Sequence, residues 1–132
     1  MSSLVCSGIA FAESVAENID GSISFRNVFD RVLARDFPTR VNRGAGALVT
    51  ILWGKPDERS SCTLRVRHES CDDREFSDFG KSGAEKEIHV IELATLDFPK
   101  PGVYVFDLMS VDTLLARACL MVQGHAQHEG RG

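Results

Sequence analysis

The sequence lacks a basic excess: 15 Lys and Arg stand against 19 Asp and Glu, for a formal net charge of -4 with His neutral. Binding to a phosphate backbone needs cationic side chains that displace counterions, so nucleic acid is not an expected partner. It also lacks any apolar run near the ~18 to 20 residues that a membrane helix needs. A bilayer span is therefore not expected either. Nor is an export signal expected: Ala10-Phe11-Ala12 has the small-x-small form of a cleavage site, but no basic residue precedes it and Ser7-Gly8 interrupts the apolar stretch. Cys6 has no small residue immediately before it, which sets aside a lipidated cysteine. The compartment these readings point to is the cytoplasm.

Reactive motifs are equally scarce. Gly44-Ala45-Gly46 has no Lys-Ser/Thr after it and no helix to hold an anion, so it is not a phosphate loop. The acids Asp72, Asp73, Glu75 and Asp78, with Glu85 and Glu87, do not follow the spacing of a calcium loop and read as a solvated acidic segment. Four cysteines, Cys6, Cys62, Cys71 and Cys119, could form two disulfides in an oxidising compartment, whereas reducing conditions leave them free. Cys6 and Cys119 fall on the first and last expected strands and could be neighbours. No cysteine sits at a helix start or Gly-rich elbow that would activate it. The expectation is a chain that is not an enzyme, with no catalytic residues and no cofactor.

Cys62, His68 and Cys71 are the best metal-ligand candidates, three suitable side chains within ten residues. Zinc motifs pair ligands two to four residues apart and repeat the pair, and here only His68 and Cys71 are that close. His125 and His128 could supply a second pair only if the tail folded back. Cys62 shares parity with Leu64 and Val66, which predicts a core thiol, and His89 shares parity with Ile91 and Leu93.

What the chain does have is alternation. With 132 residues it suits one domain, read as 1–123 with a disordered tail over 124–132. Leu4 to Glu17 reads mostly as a strand, and Asp20-Gly21 is a reverse-turn signal. The next strand runs from Ile23 through Phe29 and Val32 to Phe37-Pro38, with a bulge near Arg26-Asn27 to repair its parity. Ala47 to Trp53 is apolar on both faces, which predicts a central strand and a buried Trp53. Cys62, Leu64 and Val66 alternate with Thr63, Arg65 and Arg67 in the cleanest half-buried strand. Glu69 to Lys86 reads as irregular or as a weak edge strand, followed by strands at Glu87–Leu93, Val103–Met109 and Leu114–Val122. Seven or eight strands without helical alternation select an all-β, single antiparallel sandwich, with a barrel as the alternative.

Phe98-Pro99-Lys100-Pro101-Gly102-Val103-Tyr104-Val105-Phe106 carries the sharpest local signal. Prolines and a glycine force a turn, and Tyr104 then opens a strand as in the tyrosine corner of immunoglobulin-like domains, its hydroxyl bonding to nearby backbone. Together with Asp20-Gly21-Ser22-Ile23-Ser24-Phe25, Val28-Phe29-Asp30-Arg31-Val32 and Phe37-Pro38, this stretch resembles a family of small bacterial proteins catalogued only as a domain of unknown function. The resemblance implies an immunoglobulin-like sandwich and a bacterial origin, and transfers no catalytic residue. The chain departs from it at Asp112-Thr113, where Asp-Gly is expected, and in its tail. The function expected from the residues is a protein-interaction or structural accessory module, including self-association. A small-ligand or metal-binding domain is the alternative.

Overall fold

The computed structural model describes residues 4–41, 46–55, 57, 59–82 and 85–124. Nine strands form two sheets among these residues: β1 (Val5–Glu17), β2 (Ile23–Val28), β3 (Arg31–Ala34), β4 (Ala47–Trp53), β5 (Arg59–His68), β6 (Cys71–Ser82), β7 (Lys86–Glu92), β8 (Gly102–Ser110) and β9 (Thr113–Gly124). One sheet has the order β2-β1-β4-β7 and the other β3-β9-β8-β5-β6. A 3-10 turn, Leu93–Thr95, lies between β7 and β8. The protein is an all-β sandwich.

Alternation places the core. Phe11 and Leu48 from the first sheet meet Leu64, Val66, Tyr104, Phe106, Leu120 and Val122 from the second. Their periodicity of two sends one set inward and leaves Thr63, Arg65, Arg67 and Asp107 on the outer side. Leu4, Leu52, Cys62 and Leu108 fill one end of the sandwich as a smaller cluster.

The opening strands depart from expectation. Partner numbers along β1 and β2 run without a slip from Ala12↔Val28 to Glu17↔Ile23, so no bulge shifts the register near Asn27, although Asn27 takes a left-handed φ of 52°. The bulge lies instead in β1, between Cys6 and Ile9, where Gly8 has φ 129°. The strand expected to run on to Phe37-Pro38 breaks at Asp30. Past that break β3 crosses to the other sheet and pairs with β9 in parallel, the one parallel pair among the described strands. This split, and the pairing of β6 along β5 with two register shifts where irregular chain was the alternative, bring the strand count to nine.

A second departure is the course of the first hairpin. β1 pairs with β4 from Val5↔Trp53 to Ala12↔Ala47, and with β2 only from Ala12 onward, so the β1–β2 hairpin projects beyond the sheet as an arm. Its tip is a tight turn in which Asn18 N–H donates to Ser22 O at 2.7 Å and Gly21 has φ 87°. Lys86 Nζ donates to Gly21 O at 2.8 Å, yet Lys86 pairs with Trp53, at the opposite end of the sheet from Ala12. The arm therefore folds back over the sheet's outer face. Phe25 lines a 220 Å³ cavity there with Gly8, Ala10, Val49 and Ile51.

Candidate functional site

The candidate site grows from the turn that opens β8. Phe98 is tied to Thr39 by two backbone bonds, Thr39 N–H to Phe98 O at 3.0 Å and Phe98 N–H to Thr39 O at 2.8 Å. Between Phe98 and Tyr104 the chain must reverse, and Gly102 takes φ 128°, which side chains rarely adopt. Tyr104 is buried at 1% exposure, its ring edge-on to Phe98 at 4.9 Å. Its hydroxyl donates to Lys100 O at 2.5 Å and accepts Lys100 N–H at 3.1 Å. This is the tyrosine corner expected from the sequence.

His68 closes the corner from β5. Ser70 N–H donates to Nδ1 at 3.0 Å, so the proton sits on Nε2, which donates to Pro101 O at 2.8 Å. The ring lies 4.6 Å from that of Tyr104, and Cys71 is the cross-strand partner of His68. Burial pushes the Tyr104 hydroxyl above its ordinary pKa of 10.0; the Lys100 backbone bond pulls it down, and Cys71 adds to the rise.

Beside the corner, the outer face of the five-stranded sheet carries an ion network. Arg67 on β5 reaches Asp107 through Nε at 3.0 Å and Nη2 at 2.8 Å, and Arg117 on β9 reaches it through Nε at 2.5 Å. The Asp107 side chain is 4% exposed beneath them. Burial raises its pKa, but the bonds and charges of Arg117 and Arg67 outweigh that and hold it below 3.8. A groove of 590 Å³ runs from this network to the corner, lined by Arg67, His68, Glu69, Asp73, Gly102, Val103 and Val105. It joins a hydrocarbon strip to charges of both signs. A lone acid between Phe106 and Leu108, with arginines at the same parity on neighbouring strands, was the signal in the sequence for this network.

The metal candidates separate. Cys62 lies in the small end cluster, and six residues of extended β5 put it about 20 Å from His68. Burial raises its pKa, with Cys6 nearby adding to the effect. Only His68 and Cys71 come together, and among the described residues no group of three His, Cys, Asp or Glu is placed to hold a metal ion. His125 and His128 lie outside the described residues, as does all of the expected tail except Gly124. Cys6 and Cys119 lie in different sheets, and all four cysteines are free. His89 is half-buried, as its parity implied. Asp72, Asp73 and Glu75 lie on a strand rather than a loop.

Trp53 corrects an expectation. It is 39% exposed, because Leu48 and Leu52 take the inward parity of β4 while Trp53 faces out. Its Nε1 donates to Ser7 Oγ at 2.7 Å, and the Lys86 ammonium lies 5.4 Å from its ring. The second apolar face that predicted burial is there to receive the arm: Val49, at 2% exposure, is on it.

Two packed sheets with a tyrosine corner define an immunoglobulin-like sandwich. The fold matches the crystal structure of an immunoglobulin-like protein from Pseudomonas aeruginosa at a TM-score of 0.56, covering 92% of this chain and 97% of that one at 18% identity. The chain belongs to the family described as a family of unknown function, DUF6941, which matches residues 7–123. No curated protein matches it. Among the described residues no helix is long and apolar enough to cross a membrane.

Proposed function

We propose that the chain is a non-catalytic interaction module that takes up an extended segment of a partner protein as an added strand along β6. The observation that carries this is the position of β6: twelve residues at the edge of the five-stranded sheet, paired on one side with β5 and, among the described residues, bounded by no strand on the other. Such an edge offers a row of backbone donors and acceptors, which is what strand addition uses. The first half of the strand carries Asp72, Asp73 and Glu75 against Arg74. Asp72 and Asp73 on the edge oppose pairing with a second β6 and favour a partner strand bearing Lys or Arg, while Glu75 is already held by Arg65.

Panning a library of random extended peptides against the full chain tests this. The selected peptides should alternate β-branched with basic residues, and their binding should slow solvent exchange at β6 amides. The variant Asp72→Lys/Asp73→Lys should weaken them at least tenfold while circular dichroism stays unchanged. A footprint elsewhere, or indifference to charge reversal, would sink the reading. The groove beside Tyr104 supports a second reading, a small polar ligand held between Arg67 and Asp73; a thermal-shift screen whose hits ignore Arg67→Ala would remove it.

A further inference from the structure

The arm formed by β2 and the part of β1 beyond Ala12 has bonds of its own besides those to the sheet. Its internal bonds travel with it: Asn18 Nδ2 to Ser22 Oγ at 3.0 Å and to Ser24 Oγ at 2.9 Å, and Asn27 Nδ2 to Glu13 Oε1 at 3.0 Å. It meets the sheet through Phe25, which faces Ala10, Val49 and Ile51 across a shared cavity, and through the bond from Lys86 to Gly21 O. Phe25 keeps 42% of its surface exposed, and most of the arm is polar. The seat is different: beside Ser7, the residues Gly8, Ala10, Val49 and Ile51 form an apolar patch that water would cover if the arm left. An arm with bonds of its own and an apolar seat that needs covering make exchange between molecules inexpensive, since whatever packing one copy gives up is remade in another.

We propose that the arm exchanges between two copies of this chain, each Phe25 seating on the other copy's Ala10, Val49 and Ile51, to give a two-fold domain-swapped dimer. The occupant is set by the structure itself, because the seat already holds this segment. The geometry allows it. β1 is one strand from Val5 to Glu17 that turns back on its own sheet, and straightening it past Ala12 carries the tip about 26 Å outward at ~3.3 Å per residue. The hinge falls where pairing passes from β4 to β2, at Ala12, and opposite it at Asn27, which already has φ 52°. Lys86 of one copy would then donate to Gly21 O of the other. This inference is independent of strand addition at β6, since it uses the other sheet.

The experiment is light scattering with size-exclusion chromatography on the full chain across a concentration series, before and after refolding at high concentration. The dimer fraction of the native chain should rise with concentration and decay slowly on dilution. Phe25→Glu removes the anchor and Ile51→Glu blocks the seat, so each alone should stay monomeric. Mixed, they should form a heterodimer, visible by native mass spectrometry, because the intact arm of one finds the intact seat of the other. Should either glutamate variant fail to fold by circular dichroism, Phe25→Cys refolded together with Ile51→Cys should form a disulfide between the two chains at those positions, identified by mass spectrometry, which only an exchanged arm permits. A native chain that remains monomeric throughout would overturn the proposal. So would a dimer that ignores Phe25 and yields instead to charge reversal on β6.

Discussion

Replacing Tyr104 by Phe keeps the buried ring and removes only the oxygen that closes the corner. Two bonds go with it, the hydroxyl to Lys100 O at 2.5 Å and Lys100 N–H to the hydroxyl at 3.1 Å. A neutral hydrogen bond contributes about 0.5 to 1.5 kcal/mol net, and an orphaned buried partner costs more. Lys100 itself is exposed, so water can satisfy the released groups and the total should be about 1 to 2 kcal/mol. With a urea slope of about 2 kcal/mol per molar, the unfolding midpoint should fall by roughly 0.5 to 1 M at constant slope. The pH dependence provides a second test. Because burial raises the folded pKa, the Tyr104 hydroxyl stays protonated where the unfolded chain has begun to ionise. Its stabilisation is therefore complete below 10.0 and is lost as pH rises through the folded pKa, and Tyr104→Phe should flatten that decline. An unchanged midpoint, with the same alkaline decline in both proteins, would refute the corner as a stabilising element.

Gly102→Ala should cost roughly 1 to 3 kcal/mol, since φ is 128° and the new Cβ would meet His68 Nε2 at 2.7 Å; a urea melt checks it, and an unaffected midpoint would contradict both the strained backbone and the close approach of His68. Timed alkylation followed by mass spectrometry should modify the exposed Cys119 first and Cys62 last, because burial raises the Cys62 pKa and hides its sulfur; early modification of Cys62 would contradict its place in the core. Asp107→Asn should lower stability by roughly 1.5 to 3 kcal/mol at neutral pH, where the charge-assisted bonds from Arg67 and Arg117 are weakened. The pKa of Asp107 lies below 3.8 in the folded chain, so the gap between native and variant should close as pH falls through that range, and a gap that persists in acid would argue for packing rather than charge.

The inner faces of the strands were legible because parity is a local property. Leu64 and Val66 against Arg65 and Arg67, or Phe106 and Leu108 against Asp107, state which side meets the core whatever the rest of the chain does. The tyrosine corner was legible for the same reason, since donor, acceptor and turn lie within five residues. What stayed hidden depends on pairs distant in sequence. His68 and Pro101 are 33 residues apart and Lys86 and Gly21 are 65 apart, so nothing at either position announces the other. Trp53 was misread because an apolar outer face implies a cover without saying what supplies it. Here the cover is the chain's own first hairpin.

That cover bears on the proposed docking at β6, although β7, the other edge of the four-stranded sheet, is also bounded by no further strand among the described residues. On the four-stranded sheet the outer face is occupied by the arm, and one edge strand, β2, belongs to the arm itself. The five-stranded sheet has no such layer among the described residues. Its outer face carries charges already satisfied in pairs, Arg67 and Arg117 on Asp107 and Arg65 on Glu75, and a paired ion offers a newcomer less than a free one because binding must first undo the pair. Backbone at the edge of β6 has no such competitor for its hydrogen bonds except water. The same reasoning separates the two association modes: a partner strand on β6 leaves the arm seated, while arm exchange leaves the β6 edge open. A dimer joined through its arms would then present two β6 edges at once, and a bivalent partner carrying two basic strands should bind it more tightly than the monomer without any new contact at either edge.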